Sequence, residues 1–581
     1  MNNSGVIQTS KSADLVTFKI LTEGEELSKI YEVKSIVVNK EVNRIPTAKI
    51  VLIDGNAAKR DFELSNEEFL VPGKSIEVTA GYHSDEETIF KGIVIKHNIR
   101  IRANGAQLII ECKDEAVKMT VGRKSKYFYD SKDSDIAEEL IGNYNLSSSV
   151  EVTSHTHTEL VQYNASDWDF MVVRAQANGK LCFVEDGEIT IAKPDIGQSE
   201  IETVTFGASL LDFDAEIDAR HQIQKVSSYG WSHADQELIE IEGSDPAVSL
   251  NGNISNDDLN GVIGLENLEL RHGGVVTDTE LQDWADGKWL FQQLAKVRGR
   301  MKFQGIPAVK PNTIIKLEGV GDRFNGNVYI TGVSHKIIDG NWLVDAQFGL
   351  NPEWYSETYE VSAKPASGLL PAISGLQIGI VSQLEEDPDG EDRILVQIPI
   401  INNEEQGIWC RVASLDAGEN RGAFFRPEIE DEVIIGFINQ DPNDAVVLGM
   451  LHSSAKPSPI TATDDNHEKG FVTRSEMKVL FDDDKKSINI STPAGKIVSL
   501  DEDAGTIVIE DDNSNVITID DSGIMMESAG DIGIKASGDV SIEGNNVSIA
   551  ANAEFKAEGS AGAEVSTSAI AVLKGSLVQI N

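Results

Sequence analysis

Residues 506–549 run TIVIEDDNSN VITIDDSGIM MESAGDIGIK ASGDVSIEGN NVSI. Apolar residues recur two apart: Ile507/Ile509, Ile517/Ile519, Ile524/Met526, Ile532/Ile534, Val540/Ile542 and Val547/Ile549. Successive pairs are offset by 10, 7, 8, 8 and 7 residues. A period of two is the mark of a strand, and the Gly, Asn, Asp and Ser residues around Gly523, Gly530, Gly538 and Gly544 mark turns. A strand-turn unit repeated roughly every eight residues predicts a β-solenoid. One rung is too thin to bury its own apolar face, so rungs must stack or several chains must share them. Val540 and Ile542 are expected to point inward, with Ser541 and Glu543 outward.

Outward from this stretch the chain divides by composition. Residues 453–467 read as a linker. Before them, 373–455 holds five short strand-like runs, at 377–383, 393–397, 408–412, 432–438 and 445–451. Five strands in so few residues predict a small closed barrel of the OB type. Residues 362–371 (SAKPASGLLP) form another linker. The N-terminal part is dense in alternating strands over 14–125, at 30–38, 47–53, 75–79, 88–94 and 107–112. Short helices follow. One starts near Ser134; another is capped by Ser166, with Phe170, Val173 and Ala177 as its expected apolar stripe. A hairpin is expected over 181–191, turning at Asp186-Gly187. A second β-rich block at 200–355 carries a helix over 278–297, opened by a Thr277/Glu280 capping box.

Composition bounds the partners. The 581 residues carry 50 basic and 95 acidic side chains, a net charge of −45. That balance opposes nucleic acid and anionic membrane surfaces, because like charges repel. Cys112, Cys182 and Cys410 are too few and too scattered for a disulfide framework or a zinc site. No signal peptide or transmembrane span is expected.

Residues 422–437 (GAFFRPEIEDEVIIGF) and 441–449 (DPNDAVVLG) resemble the OB-domain signature of VgrG, the spike of type VI secretion systems. They are similar, too, to the hub and spike of contractile phage tails and extracellular injection particles. Residues 162–170 (QYNASDWDF), 298–305 (RGRMKFQG), 324–326 (FNG), Val333 to His335 with Trp342, 469–474 (KGFVTR) and 574–581 (KGSLVQIN) extend the resemblance over nearly the whole chain. It implies a mainly β fold. Two tandem tube-like β-barrels with inserted short helices (1–362) precede a linker (363–372), an OB-fold barrel (373–455), a second linker (456–468) and a trimeric β-helix or β-prism rod (469–581). It also implies a homotrimer that matches a six-fold inner tube to a three-fold needle. Further expected partners are the inner tube protein, baseplate proteins, a PAAR-repeat tip protein, effectors and the target membrane at puncture. Leu577, Val578, Ile580 and Asn581 would dock the tip. Assembly in the bacterial cytoplasm and delivery as part of an injection particle follow from the same resemblance.

Catalytic signatures fail one by one. His467-Glu468 lacks the second His of HExxH, since Phe471 stands there. Residues 332–336 (GVSHK) lack the closing Gly of a nucleophile elbow, and no phosphate-binding loop is present. His155 and His157 have strand-like spacing, but with no third ligand in view they read as a solvated loop pair. The acidic runs at 482–484, 511–512 and 520–521 read as turn and edge charges rather than calcium ligands. No enzyme, cofactor or metal is therefore expected. Two other classes share the rod: a passive trimeric adhesin or tailspike, and a hexapeptide-repeat acyltransferase. The first would not carry the OB signature. The second needs a six-residue period and a catalytic His, and residues 468–581 hold no His.

Overall fold

The computed structural model describes residues 15–103 and 105–580. The chain divides into two compact units, residues 1–373 with 439–442, and residues 374–438 with 443–581. Among the described residues no helix is long and apolar enough to cross a membrane.

The first unit is built on a 13-stranded sheet. Its N-terminal strands include Val33–Glu41, Thr47–Ile53 and Gly105–Lys113. Ile36 opposes Ile50, and Ile50 opposes Ile110. All three are wholly buried, as strict alternation on one sheet face requires. The expected strand at 30–38 begins at Val33, and Ile30 is exposed. The later strands include Val297–Gln304, Gly326–Ile338 and Asn341–Phe348, over a separate core of Met301, Phe303, Val344 and Phe348. The two sets are continuous, because Gly326–Ile338 pairs with Val33–Glu41. Two separate cores thus share one sheet. Gly305 shows why the 298–305 motif ends in glycine: a Cβ there would lie 1.9 Å from the Trp342 indole.

Helices are inserted between the strand sets. Asp167–Ala177 is capped as read, with the Ser166 hydroxyl accepting from the Asp169 amide. Its buried face differs from the expected Phe170, Val173 and Ala177. Trp168, Met171, Val172 and Ala175 are buried instead. They fall at i, i+3, i+4 and i+7, a complete helical stripe, whereas the predicted three leave gaps in it. Asp278–Leu294 opens with the Thr277/Glu280 capping box and ends before Val297, which starts a strand.

The second unit begins with a closed five-stranded barrel, in the order Gln377–Gln383, Ile394–Gln397, Ile408–Val412, Ala445–Met450 and Glu432–Phe437. Val381, Val396, Cys410, Val433, Ile435 and Val447 fill it. A seven-stranded sheet follows, from Glu468–Val472 to Gly523–Glu527, and every neighbouring pair is antiparallel. Here the expectation of stacked solenoid rungs is corrected. The first three apolar pairs lie on hairpin strands, because short polar turns return the chain on itself and parallel neighbours need long crossovers. The acidic runs make those turns. Asp511 accepts from the Asn513 and Asn515 amides, and Asp520 from the Ser522 and Gly523 amides. From residue 528 to 580 no strand pairing is assigned among the described residues.

Candidate functional site

The seven-stranded sheet presents its apolar residues in two columns. One runs Phe481, Ile488, Leu500, Ile507, Ile519, Ile524, each directly opposite the next. The other runs Phe471, Val479, Ile490, Val498, Ile509, Ile517, Met526. Alternation puts both columns on one face and sends Asn489, Ser499 and Thr518 to the other. Within the chain the apolar face is uncovered: Ile490 is 47% exposed, Ile509 48%, and Ile524 71%. A single sheet layer with one apolar face needs another layer to bury it. The pairs beyond the sheet, Ile532/Ile534, Val540/Ile542 and Val547/Ile549, are also exposed. So are Leu577, Val578 and Ile580, while Asn581 lies outside the described residues.

In the first unit, His155 and His157 are not the solvated pair expected. Their side chains are 19% and 6% exposed, at the head of strand Thr156–Ala165. The Asp278–Leu294 helix brings Glu280 to them. His155 Nε2 lies 3.6 Å from Glu280 Oε2, and His157 Nδ1 lies 3.6 Å from Glu280 Oε1. Behind His157 stands Asp133, which accepts from His157 Nε2 at 3.1 Å, Arg174 Nε at 2.7 Å and Asn178 Nδ2 at 2.9 Å. Burial would raise the Asp133 pKa, but these donors outweigh it and hold the carboxyl well below the usual range. Residue spacing gave no hint of Glu280 as a neighbour, since the contact spans two inserted segments. Its capping-box role was readable; its second role was not.

Other candidate chemistry is absorbed by structure. A cleft of about 1100 Å³ in the first unit is lined by charges of both signs. Most of them are paired, among them Arg298 with Glu216 at 2.9 Å, and Lys336 with Asp345. Cys112, Cys182 and Cys410 are free and buried, and burial pushes the Cys112 and Cys410 thiols up to about 12. Such thiols are inert rather than nucleophilic.

The family described as Alg8 N-terminal domain matches residues 12–339. The family described as type VI secretion system/phage-baseplate injector OB domain matches residues 377–452, the closed barrel. The type VI secretion system spike protein VgrG1a of Pseudomonas aeruginosa is 30% identical over 200 residues, covering 32% of this chain and 30% of that protein. Spike protein VgrG3 of Vibrio cholerae is 29% identical over 117 residues, covering 18% of this chain and 11% of that protein. The chain thus matches less than a third of the length of either relative. Among solved structures, the E. coli c3393 protein, a component of the type VI secretion system, aligns at TM-score 0.37 and 12% identity, covering 74% of this chain and 100% of that one.

Proposed function

We propose that the chain, which belongs to the Alg8 N-terminal domain family and resembles VgrG-type spike proteins, is the homotrimeric spike and hub of a contractile injection system. The uncovered two-column apolar face supports this reading most directly. Three copies facing one axis would cover all three faces at once and leave no open layer. Covering a half-exposed Ile is worth roughly 1 kcal/mol, and the columns repeat that gain on every strand.

In this reading residues 1–362 are the hub, seated on the six-fold inner tube and held by baseplate proteins. Residues 373–455 form a collar, and 469–581 the needle that pierces the target membrane. The exposed Leu577, Val578 and Ile580, with Asn581, dock a PAAR-repeat tip protein. Sheath contraction supplies the work, so the chain needs stiffness and no catalytic residues. The spike assembles in the bacterial cytoplasm and leaves as part of the particle, with effectors as cargo.

The test is the solution mass of the chain with and without residues 469–581. A trimer that resists denaturant and is lost on truncation is the expected result. A stable monomer of the full chain would overturn the proposal.

A further inference from the structure

We propose that His155, His157 and Glu280 form a binding site for a divalent transition metal of the zinc type, which pins the Asp278–Leu294 helix to the Thr156–Ala165 strand. One donor atom from each of the three lies within 4.8 Å of the other two. Two imidazoles and a carboxylate are the donors zinc takes, with a fourth position left for water. Ligands at about 2.0–2.2 Å from a tetrahedral ion sit about 3.3 Å apart. The two nitrogen-to-oxygen separations of 3.6 Å run to different oxygens of Glu280, so a carboxylate that binds through both oxygens brings the three side chains around one ion.

The surrounding hydrogen bonds prepare both rings. His157 Nε2 lies 3.1 Å from Asp133 Oδ2 and 3.2 Å from Arg174 Nη2; in the tautomer that donates Nε2–H to Asp133, the Nδ1 lone pair faces Glu280 Oε1. This is the carboxylate-histidine arrangement that orients metal ligands and raises their basicity. His155 Nδ1 lies 3.3 Å from the Thr277 hydroxyl and Nε2 lies 3.6 Å from Glu280 Oε2; in the tautomer that donates Nδ1–H to Thr277, the Nε2 lone pair faces Glu280. In these tautomers two lone-pair nitrogens face two carboxylate oxygens, an arrangement that a cation relieves. Arg174 stands close, 3.8 Å from Glu280 Oε1, but its charge is matched by the paired Asp133. Glu280 is left as the net negative charge of the cluster. Thr277 and Glu280 also build the helix cap, so the metal would hold the helix by its first turn.

The experiment uses the full chain, stripped with a chelator and titrated with Co²⁺ as a spectroscopic probe. Expected are one equivalent bound per chain, visible bands of a four- or five-coordinate site, and displacement by Zn²⁺. Glu280→Gln keeps the cap, since Gln serves at that position, yet weakens the metal ligand. Glu280→Gln and His155→Asn are each expected to lower affinity about tenfold or more, with unchanged circular dichroism. No visible band, or a band that both substitutions leave unchanged, would overturn the site and identify the cluster as an ion-pair network alone.

Discussion

His335 lies on the Gly326–Ile338 strand that joins the two strand sets of the first unit, 2% exposed and against the Trp342 ring. Burial, aided by the positive charge of Lys40, lowers its pKa to about 3. In the unfolded chain a histidine titrates near about 6.5. The depressed folded value means that the stabilising effect is complete above pH ~6.5 and is lost as pH falls toward ~3, because only the unfolded state takes up the proton. Stability of the first unit is therefore expected to fall by about 1.4 kcal/mol per pH unit below about pH 6 from this residue alone. Urea melts at several pH values measure it. His335→Gln should flatten the slope between about pH 6 and 4, whatever it does to absolute stability. An unchanged slope would place the acid sensitivity elsewhere. His335 was readable in the sequence as part of a family motif, but not as a buried, neutral imidazole. That property is set by burial, which depends on the pairing of His335 with the distant Val38 strand.

At the scale of elements, Ile509 makes a sharp test of the two columns. It is 48% exposed in the chain, so replacing it disturbs little within one copy. In the proposed trimer, Ile509→Asp would place a carboxylate in each of three facing layers, where burial of an unpaired charge is costly. The trimer mass should fall to that of a monomer, while the thermal transition of the first unit stays in place. A persistent trimer would show that this face is not the contact between copies. The apolar pairs, the Thr277/Glu280 cap and the five barrel strands were legible because each rests on local spacing. Strand pairing was less so. Alternation specifies which face a residue takes but not whether its neighbour runs parallel. Helix Asp167–Ala177 shows the same limit, since Trp168 and Met171 set its buried face only through the strands they meet.

For the whole molecule, the net charge of −45 repeats in every copy and opposes bringing three together. The apolar contact is insensitive to salt at modest ionic strength, whereas the repulsion is screened. The screening length falls from about 30 Å at ~0.01 M to about 8 Å at ~0.15 M. Refolding into the trimer should be faster and more complete at the higher salt, as size-exclusion time courses would show. Equal rates would mean that the acidic side chains point away from one another throughout assembly. The antiparallel order of the seven-stranded sheet carries one more consequence. Inserting a single strand would reverse the chain and deliver everything after it at the opposite edge. Inserting two restores direction, edge and both apolar columns, at a gain of about 10 Å. Sheets of this kind can therefore lengthen by duplication in steps of one hairpin, and odd additions are the ones selection should remove.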